Sequence, residues 1–293
     1  MSMQQITNKL IAYAQLMRLH RPLPLWLMLW PVLWALWIAG DVNPPVWIVL
    51  VFISGVFVMR AAGGAINDIW DRELDKHVPR TKSRPLAAGT LTVKEAVSLV
   101  IVMLLIATAL VLTLNLYTLL LAIAGLFGVF LYPFMKRITY YPQLVLGIVF
   151  NWGVLLAFTA ITQHLPPIAW LILFTSFLWT VAYDTMYAMA DREADVKIGI
   201  KSTAILLGDM DKLAIAVLQL LFLIGLGLIG WQLQMTIWFY FCLAAVLGLF
   251  IYEWWLIKDR DVDKCIAAFN HNNWVGIIIF LGIVLGLRVP LTF

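Results

Sequence analysis

The sequence predicts an all-α polytopic membrane protein: one domain of 293 residues built as a bundle of nine transmembrane helices. Three observations predict it. The chain is 63% hydrophobic and only 12% charged, too apolar for a soluble domain. It contains nine apolar runs, each roughly the 17–25 residues that cross a hydrocarbon core. Its Lys and Arg residues collect on alternate connectors between those runs.

The runs lie near 23–39, 46–66, 96–114, 117–134, 143–162, 167–188, 213–230, 236–257 and 274–291. The segment before the first, MSMQQITNKL, is polar and lacks the basic start and cleavage site of a signal peptide, so the first run is expected to stay as a membrane helix. Its four tryptophans, Trp26, Trp30, Trp34 and Trp37, read as interfacial belt and packing. The second run holds a lone cation, Arg60, and the sixth holds Asp184. An ionisable residue inside a span is costly and usually functional. Between the runs, the N-terminal tail and the even-numbered connectors carry 18 of the 20 Lys and Arg residues. The exceptions are Arg60 and Arg288. The positive-inside rule then puts the N-terminus in the cytoplasm and the C-terminus outside. The longest connectors, 67–95 and 189–212, have the length of a helix plus a loop. Asn270, Asn272 and Asn273 precede the last run as a helix cap or as part of a site mouth. Cys242 and Cys265 form no disulfide framework or thiolate metal spacing. His20, His77, His164 and His271 show no ligand spacing.

An acidic phrase occurs twice, DRELD at 71–75 and DREAD at 191–195. Both copies fall on the basic, cytoplasmic side, after the second and sixth runs. The separation of 120 residues hints at two related halves, about 18–140 and 141–293. On a helix, Asn67, Asp71 and Asp75 share a face, with Asp68 in the same sector. Asp184, Asp191 and Asp195 share another at spacings of seven and four. Carboxylates with an Asn carbonyl are hard oxygen ligands. They suit Mg²⁺, which keeps several waters and takes further ligands from a substrate phosphate. Arg72 and Arg192 read as local salt-bridge partners. Lys136 and Arg137 follow the fourth run and either clamp a diphosphate or anchor the helix end. Arg80, Lys82 and Arg84 do the same from the first long connector, or face anionic lipid. Arg60, about 10 Å below Asn67, holds a substrate carboxylate or snorkels. Arg18 and Arg21 are the alternative carboxylate anchors.

The pattern N-D-x-x-D-x-x-x-D with a second D-x-x-x-D resembles the UbiA family of intramembrane prenyltransferases. MRAAGGAINDIWDRELD at 59–75, the R-T-x-x-R-P-L run at 80–86, YPFMKR at 132–137 and YDTMYAMADREADVKIGIKSTA at 183–204 resemble its 4-hydroxybenzoate branch. The resemblance runs from about Arg18 to Asn273. It implies C-prenylation of an aromatic ring in ubiquinone biosynthesis, with polyprenyl diphosphate and 4-hydroxybenzoate as substrates, Mg²⁺ as cofactor and the bilayer as the third partner. No nucleic acid partner is expected. By position it implies metal ligation by Asn67, Asp71, Asp75, Asp191 and Asp195. Lys136, Arg137 and Arg84 are expected at the diphosphate and Arg60 at the acceptor. Asp71 and Asp191 are the expected catalytic residues, Asp191 also orienting or deprotonating the phenol. Asp68 and Asp184 are weaker candidates. Ala194 departs from relatives that often carry another acid there. A bacterial inner membrane with a cytoplasm-facing site is expected. Another aromatic acceptor, naphthoate or haem, fits the same chemistry. A secondary transporter is the contrasting reading, but its ionisable residues belong near mid-membrane; these gather at one face. A phospholipid head-group transferase interleaves Asp with Gly and Ala-Arg in one motif, and no such run occurs here.

Overall fold

The computed structural model describes residues 3–20, 22–77 and 81–288. Arg21 and Arg80 lie outside them. The described residues form α1 (Met3–Leu16), α2 (Leu23–Ala39), α3 (Val46–Asp75), α4 (Val93–Val111), α5 (Leu116–Ile138), α6 (Pro142–Thr162), α7 (Pro167–Ile198), α8 (Thr203–Leu207), α9 (Asp211–Gln232), α10 (Ile237–Leu256) and α11 (Val262–Arg288). Eight helices are long and apolar enough to cross a membrane, and α2 is a shorter apolar helix. At 17 residues α2 spans about 26 Å, close to a hydrocarbon core. These nine elements coincide in order with the nine apolar runs, and the chain is an integral membrane protein.

Local chemistry sets the helix ends. Thr92 and Glu95 form a reciprocal capping box that starts α4. Asn115 caps α5 through the Thr118 N–H. Proline in the first turn starts α2, α6 and α7. Gly199, at φ 73°, takes the left-handed conformation that stops α7.

Three boundaries depart from the hydropathy reading. Helix α3 continues unbroken from its apolar run to Asp75, and α7 continues to Ile198. At 30 and 32 residues they extend about 45 and 48 Å, well past a core of about 30 Å. The acidic phrases therefore ride on rigid extensions of membrane helices rather than on loops. Helix α11 begins at Val262, so Asn270, Asn272 and Asn273 lie within a helix and cap nothing. The polar N-terminal segment is itself helical, and α1 packs on α3 through buried Ala12 and Leu16.

Consecutive membrane helices are neighbours, and α11 returns to α2 to close the ring. Helices α2, α6, α7 and α11 meet at the centre, where Trp34, Val154, Trp179 and Val275 are buried. The Trp34 indole donates to the Gly276 carbonyl at 3.2 Å. A Cβ on Gly276 would lie 2.1 Å from the Trp30 ring, so only glycine lets α2 and α11 approach this closely. Of the four tryptophans of α2, Trp30 and Trp34 are packing residues, while Trp26 is exposed. By contrast α4 and α5 show Ile101, Leu105, Leu120 and Phe127 on the outside, as lipid-facing surfaces do.

Candidate active site

The first acidic motif sits on the last three turns of α3. Asp68, Asp71 and Asp75 are buried, and Asn67 is half-buried. Their shared face follows from the three- and four-residue spacing. Basic side chains from three other segments converge on it. Lys136, from the end of α5, pairs with Asp71 and donates to the Asn67 carbonyl oxygen at 3.3 Å. Arg137 donates to the Trp70 carbonyl at 2.8 Å and to Asp71 at 3.3 Å. Arg84 donates to Asp75 at 2.9 Å and to Asp68 at 3.1 Å. Burial alone would lower the Arg84 pKa, but Asp68 and Asp75 outweigh it and raise it, so the guanidinium stays charged. Arg18, 50 residues back in sequence, pairs with Asp68.

The second motif lies on α7, where Asp184, Asp191 and Asp195 are half-buried. Arg192 turns to the other side of the helix. It donates to the Ala204 carbonyl at 2.6 Å and the Gly208 carbonyl at 3.1 Å, and pairs with buried Asp211, which Arg260 also holds at 2.9 Å. Arg192 is thus a staple between α7 and the start of α9, and Arg72 donates to its own helix at the Ile69 carbonyl, 3.0 Å. Arg72, which also meets Glu73 at 3.6 Å, has the local role that the sequence allowed; Arg192 instead pairs with Asp211 on another helix.

The end of α5 joins the two motifs. Lys136 reaches α3 with its side chain, while its carbonyl accepts from the Lys201 N–H, just beyond α7, at 2.9 Å. Lys201 Nζ also donates to the Ile138 carbonyl at 3.1 Å. One turn before Lys136, half-buried Tyr132 lies within electrostatic reach of Asp71 on α3 and of Asp184 and Asp195 on α7. Helices α3 and α7 do not pack extensively on each other.

The sequence did not single out Tyr132 as a site residue. The signal was present in Tyr132-x-x-x-Lys136, which puts both side chains on one helix face. Arg60 is half-buried on α3, seven residues before Asn67, with Arg18 close enough to act on it electrostatically. Asp184 lies half-buried within α7, seven residues before Asp191. The asparagines take separate roles: Asn272 accepts from the Trp179 indole at 2.6 Å, and Asn273 donates to the Asn270 carbonyl at 3.1 Å. His271 is not solitary. It meets Glu253 at 3.1 Å, and Gln219 donates to the other oxygen of that fully buried carboxylate at 3.0 Å. This knot ties α9, α10 and α11 together.

Among the described residues no three His, Cys, Asp or Glu side chains gather closely enough to cage a metal ion. Mg²⁺ does not need such a cage. It usually takes one or two carboxylates and completes its shell with water and phosphate. The donor set on α3 and α7 consists of hard oxygens from Asn67, Asp71, Asp75, Asp191 and Asp195, which fits that habit. The basic groups on Asp71 and Asp75 balance part of that negative charge.

Among the described residues, nine apolar helices form the bundle, and two of them, α3 and α7, carry acidic extensions at one end. The family model for the UbiA prenyltransferase family matches residues 28–275, and the chain belongs to that family. Over 276 residues it is 52% identical to a protein of Coxiella burnetii named 4-hydroxybenzoate octaprenyltransferase, covering 94% of this chain and 96% of that one. A protein of the same name from Cronobacter sakazakii is 50% identical over 278 residues, 95% and 96% of the two chains. The apo structure of a UbiA homologue from Aeropyrum pernix superposes with a TM-score of 0.77 at 25% identity, covering 88% of this chain and 96% of that one. A UbiA homologue from Archaeoglobus fulgidus, solved with GPP and Mg²⁺, gives a TM-score of 0.71 at 16% identity, covering 93% and 99%.

Proposed function

We propose that this chain transfers a polyprenyl group from polyprenyl diphosphate to the ring carbon ortho to the hydroxyl of 4-hydroxybenzoate, in ubiquinone biosynthesis. The observation that carries this is identity of about half over nearly the whole chain to proteins named for that activity. The acids of the two motifs, with the basic groups at the end of α5 that rest on the first of them, would supply the chemistry. The diphosphate departs with the electron pair of its C–O bond, the ring carbon's π electrons form the new C–C bond, and that carbon loses its proton. When bound, Mg²⁺ supplies Lewis-acid neutralisation of the diphosphate charge. Asn67, Asp71, Asp75, Asp191 and Asp195 would hold it. Lys136 and Arg137 stand at Asp71, where they meet the diphosphate oxygens and stabilise charge on the leaving group. Arg84 meets the same anion from the Asp75 side. Arg60 receives the acceptor carboxylate, and Asp191 orients or deprotonates the phenol.

Membranes holding the protein are expected to join radiolabelled 4-hydroxybenzoate to a polyprenyl diphosphate in Mg²⁺, and to stop in EDTA. An unlabelled lipid fraction in Mg²⁺ would refute the assignment.

The basic connectors favour an active site facing the cytoplasm, and the bacterial relatives favour the inner membrane. Reporter fusions after Gly40 and after Phe293 are both expected to report the outside. A cytoplasmic signal from the C-terminal fusion would break the nine-span topology.

A further inference from the structure

We infer that Asp68 is a positioning residue for donor binding, not a metal ligand, and that it works by fixing Arg84 and Arg18 on the first motif. The inference rests on the donor-site reading above.

Asp68 is 0% exposed, the most deeply buried acid of its motif. One oxygen, Oδ1, takes both guanidinium contacts, from Arg18 and from Arg84. The other oxygen, Oδ2, has no hydrogen-bond partner but is enclosed by protein, so an ion arriving from outside meets no exposed oxygen of this carboxylate. Arg84 uses the same Nη1 to reach Asp75 at 2.9 Å. Its fork is therefore held at the edge of the motif, with its remaining N–H groups directed by the Asp68 contact.

Three chain segments meet at this carboxylate: the α1–α2 link through Arg18, helix α3 itself, and the 81–91 segment through Arg84. The link is built for the contact. Arg18 has φ 61°, a left-handed conformation that a non-glycine residue keeps only when its surroundings hold it there. Its side chain lies over Gly64, where a Cβ would stand 3.2 Å from Arg18 Cγ. The 81–91 segment is anchored nearby, by the Thr81 hydroxyl on the Asp75 carbonyl at 3.1 Å and by Leu86 and Leu91, buried in one cluster with Ala12 and Leu16.

Net charge and geometry make opposite predictions for Asp68→Asn. Removing an anion from the site would tighten binding of a diphosphate by charge alone. Releasing Arg84 and Arg18 would loosen it. A positioning partner behind a charged ligand typically accounts for roughly 10–100-fold in affinity, and a neutral amide at this position cannot hold two guanidinium groups as an anion does.

The probe is geranyl S-thiolodiphosphate, a donor analogue that does not ionise, titrated onto the purified full chain in nanodiscs. Asp68→Asn is expected to weaken its binding at least about 10-fold, both in Mg²⁺ and in EDTA. It is expected to raise the donor KM by a similar factor, while kcat at saturating donor stays within about 3-fold. Hydrogen exchange in the 81–91 segment is expected to speed up. Arg84→Gln is expected to weaken analogue binding likewise, and the double variant to be no weaker than the worse single one. Gly64→Val, which displaces Arg18 without touching a charge, reproduces part of the effect and serves if Asp68→Asn does not fold. A loss seen only in Mg²⁺ would make Asp68 a metal ligand and overturn the inference. So would tighter binding, or a lower melting temperature with unchanged affinity. Wild-type protein that fails to bind the analogue in Mg²⁺ overturns the donor-site reading and this inference with it; wild-type binding with no loss in the variants overturns this inference alone.

Discussion

Asp71→Ala, Asp75→Ala, Asp191→Ala and Asp195→Ala are each expected to lower prenyl transfer by on the order of 10²–10³-fold, the cost of removing one preorganised charge partner of a leaving group. Asp71 is the sharpest case, because Lys136 and Arg137 both rest on it. Its removal takes a candidate ligand from the metal and frees two cations from their acidic anchor on α3. Folding suffers as well. Breaking a buried pair costs about 3–5 kcal/mol, and Lys136, at 18% side-chain exposure, belongs at the low end of that range. Asp71→Asn separates the two effects. It keeps the shape and the hydrogen-bonding oxygen, so insertion and yield are expected to recover while turnover does not. A Lys136→Gln background is expected to restore the stability of Asp71→Ala and leave it inactive. Two of the four alanine variants with near-normal turnover in Mg²⁺ would refute the two-motif site.

Hydropathy makes the nine spans legible, since each apolar run is long enough to be unambiguous and the basic connectors alternate without a break. It also locates both acidic phrases, because spacing on one helix is a local property. It does not reveal that α3 and α7 remain helical through those phrases. DRELD and DREAD are good helix sequences, but nothing apolar marks their continuation. Helix α1 escapes for the same reason: its burial against α3 depends on Ala12 and Leu16 finding Ala65, Ile66 and Leu91. Pairings between distant segments escape altogether. Arg18 with Asp68 and His271 with Glu253 each join residues on separate elements, and neither residue's sequence neighbourhood points to its partner. Tyr132 lies between these cases, with its helix face readable beside Lys136 but its position between two motifs set only by packing.

Acceptor recognition is where the geometry makes the riskiest demand. Arg60 lies about 10 Å along α3 from Asn67, half-buried in an apolar span, with Arg18 near enough to repel it. A guanidinium within an apolar span favours an anionic partner. A benzoate carboxylate entering from the diphosphate side meets that requirement and offers a planar, bidentate partner. Arg60→Ala is therefore expected to raise the KM for 4-hydroxybenzoate by about 100-fold, the scale of a charge-assisted pair of about 1.5–3 kcal/mol, and to change the donor KM far less. Arg60→Lys rescues only part of this, because an ammonium cannot make the planar contact. Arg137→Ala is expected to reverse the pattern, since its contacts lie on Asp71 and the Trp70 carbonyl at the donor end. Steady-state kinetics with both substrates varied for all three proteins separates the sites. An unchanged acceptor KM in Arg60→Ala, with only protein yield reduced, would make Arg60 a snorkelling residue that keeps α3 in register. The carboxylate anchor would then fall to Arg18, whose guanidinium Asp68 already holds beside the same helix.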